Sequence, residues 1–203
     1  MVIIKQVIFD FGQVLVHFSP RAMCERYLTD SDDIRVMETV LFDRLYWDAL
    51  DAGALSDEDA VAAARERLPS HLQEVAGEIF FNWIYMLPEI DGMRDLVAEL
   101  CANGFKPALL SNISRYFADH AKEIPILSVF EPCIYSAVCG MTKPHREIFE
   151  YACERCGSVP QETLFIDDSQ LNIDGAAKAG LVTYRFDGDV AALKTYLTAQ
   201  GLL

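Results

Sequence analysis

Acidic side chains at two distant points of the chain could hold a divalent cation. Asp10 ends the apolar run 7–9, and the adjacent pair Asp167 and Asp168 follows the apolar run 164–166. Short apolar runs of this kind are typical of buried strands in a parallel sheet. Like charges held together at a strand end disfavour folding unless a cation or hydrogen bonds offset them. Because Mg²⁺ prefers oxygen ligands and uses one or two carboxylates, we expect Asp10 to share such an ion with the later pair.

Two further strand ends carry groups that could hold a phosphate. Ser111 and Asn112 end a strand where a helix begins, so a hydroxyl, an amide and free backbone N–H groups are available to an anion. Lys143 precedes Pro144 in a turn and could direct its ammonium group at phosphate. Taken alone, each feature also fits a helix cap, a turn or a solvated lysine. Ligands of open α/β sheets bind beyond the carboxyl ends of the strands, so together these groups predict one site.

Composition limits the partners that this chain can have. Its 203 residues are 52% hydrophobic, which is typical of a folded globular protein, and its formal net charge is −14. That charge repels nucleic acids and anionic lipids, so we expect neither as a partner. A phosphorylated substrate would need local positive groups or a metal ion.

Cysteine usage and hydropathy predict a cytoplasmic protein. Six cysteines lie mostly within predicted strands and helices, with no secretory leader before them, and we interpret them as reduced thiols. The longest apolar segment, 79–87, is interrupted by Asn82 and is far shorter than the roughly 20 residues that a membrane span needs.

The second half of the chain alternates between strands and helices. This βα alternation predicts an α/β fold, a Rossmann-like three-layer sandwich around a parallel sheet with right-handed crossovers. We predict strands at about 3–11, 106–111, 133–138, 164–167 and 182–186, and helices at 93–103, 115–123, 144–156 and 171–179.

About seventy residues after the first strand carry only helical signals. Ser19 before Pro20 and Ser56 before three acidic residues are both typical of helix starts, and a further helix is predicted from Ser70 to Met86. Unstructured loops longer than about 15 residues are uncommon in compact domains. We therefore predict a core formed by residues 1–17 and 90–203, with a small all-helical cap, 18–89, inserted after the first strand.

The chain resembles the haloacid dehalogenase (HAD) superfamily of phosphohydrolases over its whole length. Four segments carry the resemblance, in the family's order: Asp10-Phe-Gly12-Gln-Val-Leu, Leu110-Ser111-Asn112, Gly140-Met-Thr-Lys143-Pro144, and Phe165-Ile166-Asp167-Asp168-Ser-Gln-Leu-Asn172-Ile-Asp-Gly175-Ala. Within the superfamily the chain is most similar to subfamily IA, with a C1-type cap. Its first segment is most similar to the Asp-x-Gly-Asn-Val branch of sugar-phosphate phosphatases, of the glucose-1-phosphate type.

The resemblance implies a role for each site residue. Asp10 would be the nucleophile that forms an aspartyl-phosphate, and Ser111, Asn112 and Lys143 would hold the phosphoryl group. Mg²⁺ would be bound by Asp10, the Gly12 carbonyl and Asp168, with Asp167 assisting directly or through water. Covalent phosphoryl transfer agrees with this arrangement, since it needs a carboxylate in line with phosphorus and cations on the equatorial oxygens.

Gly12 departs from the family pattern. Superfamily phosphatases usually carry an aspartate at this position as general acid and base, and losing such a group typically costs about 10²- to 10⁴-fold in rate. His17, a metal-bound water or a cap residue could substitute. The cap face toward the site could include Asp43, Arg44, Tyr46, Trp47 and the segment Asp51-Ala-Gly53, whereas Phe80, Phe81 and Trp83 are expected to pack between helices.

Three functions remain in competition at the level of the sequence. The favoured one is a Mg²⁺-dependent phosphatase for a small phosphate monoester, with a sugar phosphate as the expected substrate and a monomer or homodimer as the expected assembly. A non-catalytic protein that binds a phosphorylated ligand is the alternative that Gly12 motivates. A 2-haloacid dehalogenase is disfavoured, because it needs no metal and Asp167 and Asp168 would place useless charge beside its site.

Overall fold

Five parallel strands form the sheet at the centre of the computed structural model, which describes residues 3–203. The strands are β1 (Gln6–Phe9), β2 (Ala108–Ser111), β3 (Cys133–Tyr135), β4 (Thr163–Asp167) and β5 (Val182–Arg185). Their order across the sheet is β3-β2-β1-β4-β5, and every neighbouring pair is parallel. The predicted α/β fold with a parallel sheet is confirmed.

Both faces of the sheet are buried, which explains why its strands are continuously apolar. Successive side chains of a strand point to opposite faces. Accordingly, Val7 and Phe9 belong to one hydrophobic cluster and Ile8 to the other. Helices α6 (Met93–Ala102) and α11 (Val190–Ala199) contribute to the first cluster, and α9 (Arg146–Cys156) and α10 (Gln170–Lys178) to the second. The sheet is therefore the middle of three layers.

The direction in which the strands are added reverses between β1 and β4. The chain adds β2 and β3 on one side of β1 and then crosses to add β4 and β5 on the other. Phe9 is in register with Ile166, and the backbone N–H of Asp10 donates to the carbonyl of Ile166 at 2.9 Å. Ligands of doubly wound sheets bind at such a switch point. The fold thus places Asp10 beside Asp167 where a site is expected.

Five α-helices and short 3₁₀ turns occupy the stretch between β1 and α6. They are α1 (Pro20–Cys24), α2 (Ser31–Leu41), α3 (Arg44–Asp51), α4 (Asp57–Arg67) and α5 (Gln73–Asn82). The two ends of this stretch lie side by side, because Val16 forms an antiparallel bridge with Glu89 and His17 N–H donates to Pro88 O at 2.8 Å. An insertion whose ends meet can be added to a sheet without disturbing its strands.

Two predicted helix caps are present. The Ser19 hydroxyl accepts from Ala22 N at 3.3 Å, and the Ser56 hydroxyl accepts from Asp59 N at 3.1 Å. These bonds satisfy N–H groups that the first turn of a helix leaves without partners. The predicted helix from Ser70 to Met86 is instead divided into a 3₁₀ turn at 70–72, α5, and a second 3₁₀ turn at 83–85, and Ser70 caps nothing.

Other boundaries differ from the predicted ones at strand ends and at the C-terminus. Pairing of β3 with β2 ends at Tyr135, and α8 (Ser136–Cys139) follows, because the Ser136 hydroxyl accepts from Ile113 N at 2.8 Å. Helix α11, which Asp189 caps, was not predicted. The remaining core helix is α7 (Arg115–His120), which continues into a 3₁₀ turn at 121–123.

The helical insertion packs on the core through aromatic and polar contacts. Trp83 stacks on Phe117 of α7 with ring centroids 5.5 Å apart. The buried Asp57 carboxylate, at the start of α4, accepts from Tyr116 N at 3.1 Å and so caps α7 from the insertion. One hydrophobic cluster runs through both parts of the chain. Within residues 3–203, none of the helices combines the length and the apolar character that crossing a bilayer requires.

Candidate active site

The predicted site residues meet at one cavity beyond the carboxyl ends of β1, β2 and β4. The cavity has a volume of about 580 Å³ and lies between the sheet and the helical insertion. Six of the seven predicted residues line it on the core side: Asp10, Gly12, Ser111, Asn112, Lys143 and Asp168. Asp167 lies beneath them and is completely buried.

Lys143 is held at the centre of this arrangement. Its Nζ lies 2.7 Å from Asp10 Oδ1 and 2.7 Å from Asp167 Oδ2, and it donates to the Leu110 carbonyl at 3.1 Å. An ammonium group has three donors, so all of them are satisfied. Burial lowers the pKa of Lys143, but the two carboxylates more than offset this, and the pKa is raised overall. The lysine is therefore a fixed positive charge.

The Asp167 carboxylate is fully occupied by donors from the protein. Its Oδ1 accepts from Ser169 N at 2.8 Å and from Asn172 Nδ2 at 3.1 Å, while Oδ2 accepts from Lys143 and also lies 3.1 Å from Asn172 Nδ2. The Asp167 carboxylate therefore orients the side chain of Asn172 and balances the positive charge of Lys143. Its oxygens have little capacity left for another direct ligand.

Asp10, Asp167 and Asp168 each bring a carboxylate oxygen to within 4.8 Å of the other two. Asp168 is half-buried and lines the cavity, and its backbone carbonyl accepts from Arg185 Nε at 3.2 Å. Among residues 3–203, no other residue donates a hydrogen bond to the Asp168 carboxylate. A carboxylate that is directed into a cavity beside two others is a suitable ligand for a hard cation.

Burial raises the pKa values of Asp10 and Asp168. Burial raises the pKa of Asp10 to about 7, with Lys143 opposing and Asp167 adding to the shift. Burial, and then the charge of Asp167, raises the pKa of Asp168 as well. Both carboxylates are therefore in an environment that disfavours their ionised forms, which is the condition that a bound divalent cation relieves.

Asn112 fixes the backbone of Lys143. Its Nδ2 donates to Lys143 O at 2.9 Å and its Oδ1 accepts from Lys143 N at 2.8 Å, so both ends of the amide hold the same residue. Helix α10 supports the turn from below, because a Cβ on Gly175 would lie only 2.4 Å from the Pro144 carbonyl oxygen. The lysine is thus positioned by β2 on one side and by α10 on the other.

Gly12 has room for a side chain. The nearest atom to a Cβ at this position would be Phe18 Cβ at 4.0 Å, so sterics do not explain why the chain lacks the usual aspartate. Gln13, the next residue, has φ of 59°, an uncommon conformation for a residue with a side chain. Its backbone N–H donates to Val16 O at 2.7 Å, which closes the loop that follows the nucleophile position.

Some of the predicted insertion residues reach the cavity and others do not. Arg44, Trp47 and Asp51 of α3 line it, whereas Asp43 pairs with Arg67 at 2.7 Å and Tyr46 lies under the same arginine. Trp83 packs against Phe117 as expected and also forms part of the cavity wall. His17, Asp43, Tyr46 and Gly53 are not among the cavity-lining residues, and the side chain of His17 is exposed. His17 is therefore badly placed to replace a general acid.

Several lining residues had not been singled out from the sequence. They are Gln13, Val16, Phe18, Phe42, Asp48, Leu87, Thr142 and Ser169. Asn172 belongs to the last of the four family segments, and its position in the first turn after Asp167 is compatible with the hydrogen bonds that it donates to that carboxylate. The sequence does not distinguish the aromatic residues that line the cavity from those that pack between helices, because both show the same apolar spacing along a helix.

Comparisons with known proteins agree with this geometry. Residues 4–180 match the family model of the haloacid dehalogenase-like hydrolases. The chain is 25% identical to the sesquiterpene phosphatase astK of Aspergillus oryzae, with 88% of this chain and 87% of that protein covered. It is 27% identical to the D-ribitol-5-phosphate phosphatase of Bacteroides thetaiotaomicron, with 90% and 91% covered.

A solved structure of a HAD-family enzyme from Bacteroides thetaiotaomicron, in complex with magnesium and inorganic phosphate, shares the fold. It superposes with a TM-score of 0.66 at 22% identity and covers 94% of this chain and 98% of the other. Since the family model covers most of the chain and the four family segments converge on one cavity, the chain belongs to the haloacid dehalogenase-like hydrolases.

Proposed function

We propose that the protein is a Mg²⁺-dependent phosphatase that hydrolyses a small phosphate monoester through an aspartyl-phosphate on Asp10. The observation that carries the proposal is the buried cluster in which Lys143 bridges Asp10 and Asp167 at the floor of the cavity. This cluster supplies a carboxylate nucleophile and a fixed cation, the two groups that phosphoryl transfer to the protein requires.

The charge balance of the cluster supports a metal cofactor. Three carboxylates face one ammonium group, so the floor of the cavity is negative and would repel a phosphate dianion. We propose that Asp10, Asp168 and the Gly12 carbonyl hold Mg²⁺, and that Asp167, whose oxygens are engaged by the protein, acts through water. The ion would neutralise charge on the phosphoryl oxygens when bound.

We assign the remaining roles by position. Asp10 attacks phosphorus, the buried Ser111 hydroxyl binds a phosphoryl oxygen, and the fixed positive charge of Lys143 attracts the phosphoryl group. Asn112, which was expected to bind phosphate, contributes chiefly by holding the Lys143 backbone.

Residues 18–89 are proposed to form a C1-type cap on a core of residues 1–17 and 90–203. Support comes from the paired ends of the insertion and from the cavity, which has walls from both parts. We also propose that the chain belongs to subfamily IA and to the Asp-x-Gly-Asn-Val branch, because Gly12 stands at the third position of that pattern.

The substrate is proposed to be a sugar or polyol phosphate, as expected from the sequence. The similarity to a D-ribitol-5-phosphate phosphatase supports this class, and so do the polar side chains of Arg44, Asp48 and Gln13 at the cavity. The phosphate ester of an apolar alcohol is a second candidate. It is favoured by a wall formed by Phe18, Phe42, Trp47, Trp83 and Leu87, and by the similarity to a sesquiterpene phosphatase.

A substrate panel with a metal control tests the function. The purified protein should hydrolyse p-nitrophenyl phosphate and at least one ester from a panel of ribitol, glucose, glycerol and farnesyl monophosphates with Mg²⁺, and lose this activity in excess EDTA. Asp10→Asn should abolish turnover. Mg²⁺-dependent binding of phosphate esters without product would instead support the non-catalytic alternative, and release of halide from 2-chloropropionate would support a dehalogenase.

A further inference from the structure

One carboxyl group of the insertion faces the site from above and has no assigned role. Asp51 is the last residue of α3 and lines the same cavity as Asp10 and Lys143. Among residues 3–203, no hydrogen bond or ion pair engages its side chain. The neighbouring Asp48 differs in this respect, because it pairs with Arg44 at 3.1 Å.

The position of Asp51 is set by a close contact between the insertion and the core. Gly53, two residues further on, has φ of +70°, and a Cβ there would lie 2.7 Å from the carbonyl oxygen of Ala137 in α8. Leu50, which precedes Asp51, is buried in the main hydrophobic cluster. The end of α3 is therefore fixed on both sides, and Asp51 is held over the cavity by packing.

We propose that Asp51 is the general acid and base of the reaction, supplied from the insertion in place of the aspartate that Gly12 lacks. This inference rests on the proposed phosphatase function. Asp51 lines the same cavity as the nucleophile but comes from the insertion, and Gly12 itself offers no group that can transfer a proton.

The proposed proton transfers balance over the two steps. In the first step, an Asp10 oxygen forms a bond to phosphorus, the bond from phosphorus to the ester oxygen breaks, and the Asp51 carboxyl gives its proton to the leaving alkoxide. In the second step, water attacks the phosphorus of the aspartyl-phosphate, Asp51 takes the proton of that water, and the bond to Asp10 breaks. Inorganic phosphate leaves, and both residues return to their initial states.

The electrostatic surroundings of Asp51 agree with this role. Burial raises its pKa to about 7, and the charge of Asp48 adds to the shift, while Arg44 and Lys143 oppose it and Asp10 adds a smaller increase. Asp168 is the remaining acidic group that faces the same cavity. A carboxyl group with a pKa near 7 can both donate and accept a proton at neutral pH.

The test compares two esters whose leaving groups differ in their need for a proton. With Asp51→Asn, kcat/KM for an alkyl ester of the panel that the wild type hydrolyses, such as glycerol phosphate, should fall by about 10²- to 10⁴-fold. The release of p-nitrophenol should instead begin with a burst equal to the enzyme concentration and continue slowly, because its departure needs no acid while hydrolysis of the aspartyl-phosphate still needs the base. The quenched variant should carry one phosphoryl group by mass spectrometry.

Two further variants keep the test decisive. Asp51→Ala, which removes the same carboxyl group with a smaller side chain, should show the same dependence on the leaving group. Glu58→Gln removes an exposed acidic charge from the insertion and should stay within about twofold of the wild type for both esters. Circular dichroism spectra establish that each variant is folded.

The outcomes separate the two proposals. If the wild type hydrolyses the alkyl ester and both Asp51 variants do so within about threefold of it, the role of Asp51 is wrong while the phosphatase function stands. If the wild type hydrolyses no ester of the panel with Mg²⁺, the proposed function itself fails, and the role of Asp51 fails with it.

Discussion

The Nζ of Lys143 lies 2.7 Å from Oδ1 of Asp10, and the lysine side chain is only 1% exposed. Removing one partner of a buried ion pair leaves the other as an uncompensated charge, which typically costs about 3–5 kcal/mol. We therefore expect Lys143→Met to lower the free energy of unfolding by about this amount, measured by urea denaturation at pH 8 in EDTA.

A surface lysine provides the matched control for this prediction. Lys5 pairs with Glu162 at 2.9 Å, but its side chain is 62% exposed, and such pairs contribute about 0–1 kcal/mol. Lys5→Met should therefore have little effect in the same experiment. An equally small loss of stability for Lys143→Met would mean that Asp10 and Asp167 do not form buried ion pairs with Lys143 in the folded protein.

Magnesium should stabilise the folded protein through Asp168. A ligand that binds only the native state contributes about 2.7 kcal/mol when its concentration is 100 times its Kd. We expect Mg²⁺ to raise the melting temperature of the wild type, measured by differential scanning calorimetry, and Asp168→Asn to lose most of this increase. Asp174→Asn, on the exposed face of α10, should keep it. An unchanged response of Asp168→Asn would rule out Asp168 as a ligand.

The sequence predicted the core of the site better than its upper wall. Asp10, Ser111 and Asp167 each stand at or just beyond a strand end, and parallel pairing brings strand ends to one edge of the sheet. Lys143 follows β3 only after α8, and Asn112 holds its backbone at the same edge. Their convergence therefore follows from local patterns and from topology. The separation of the two hydrophobic clusters follows in the same way, from alternation along each strand.

Local patterns and topology do not predict which residues of the insertion face the cavity. Whether Asp51 or Tyr46 faces the cavity depends on how α3 is rotated against the core, and that rotation is set by the contact of Gly53 with Ala137. A contact between residues so distant in sequence leaves no periodic signal. The same holds for Asn112, because a strand-end amide predicts an anion site as readily as a bond to the Lys143 backbone.

The raised pKa of Asp51 should make stability depend on pH. Its value of about 7 in the folded protein lies above the ordinary value of 3.8, so between these pH values the native state binds more protons than the unfolded state. Stability from this group is therefore lost as the pH rises from about 4 to 7. Asp51→Asn lacks the titration, so its stability relative to the wild type should increase over the same range by at least about 1 kcal/mol.

Urea denaturation at pH 5 and pH 8, in EDTA, measures this difference. The exposed residue Glu58 supplies the control, and the stability of Glu58→Gln relative to the wild type should be nearly the same at both pH values. If Asp51→Asn behaved like Glu58→Gln, the carboxyl group of Asp51 would be solvated in the folded protein.

The contact of Gly53 with α8 should be required for activity. Gly53→Ala places a Cβ at 2.7 Å from the Ala137 carbonyl oxygen, so the end of α3 must move away from the core and carry Asp51 with it. A displacement of about 1 Å at a reacting group can lower the rate about 10²-fold, and we expect kcat/KM for an alkyl phosphate to fall by at least about tenfold.

Gly104→Ala is the matched control, because Gly104 also has a positive φ, of +91°, but a Cβ there would meet no atom within 4 Å. In both variants an alanine must adopt the left-handed conformation, which destabilises the protein by about 1–2 kcal/mol. Only Gly53→Ala should lose activity in steady-state assays. Equal activity in the two variants would show that the insertion positions its carboxyl group without this contact.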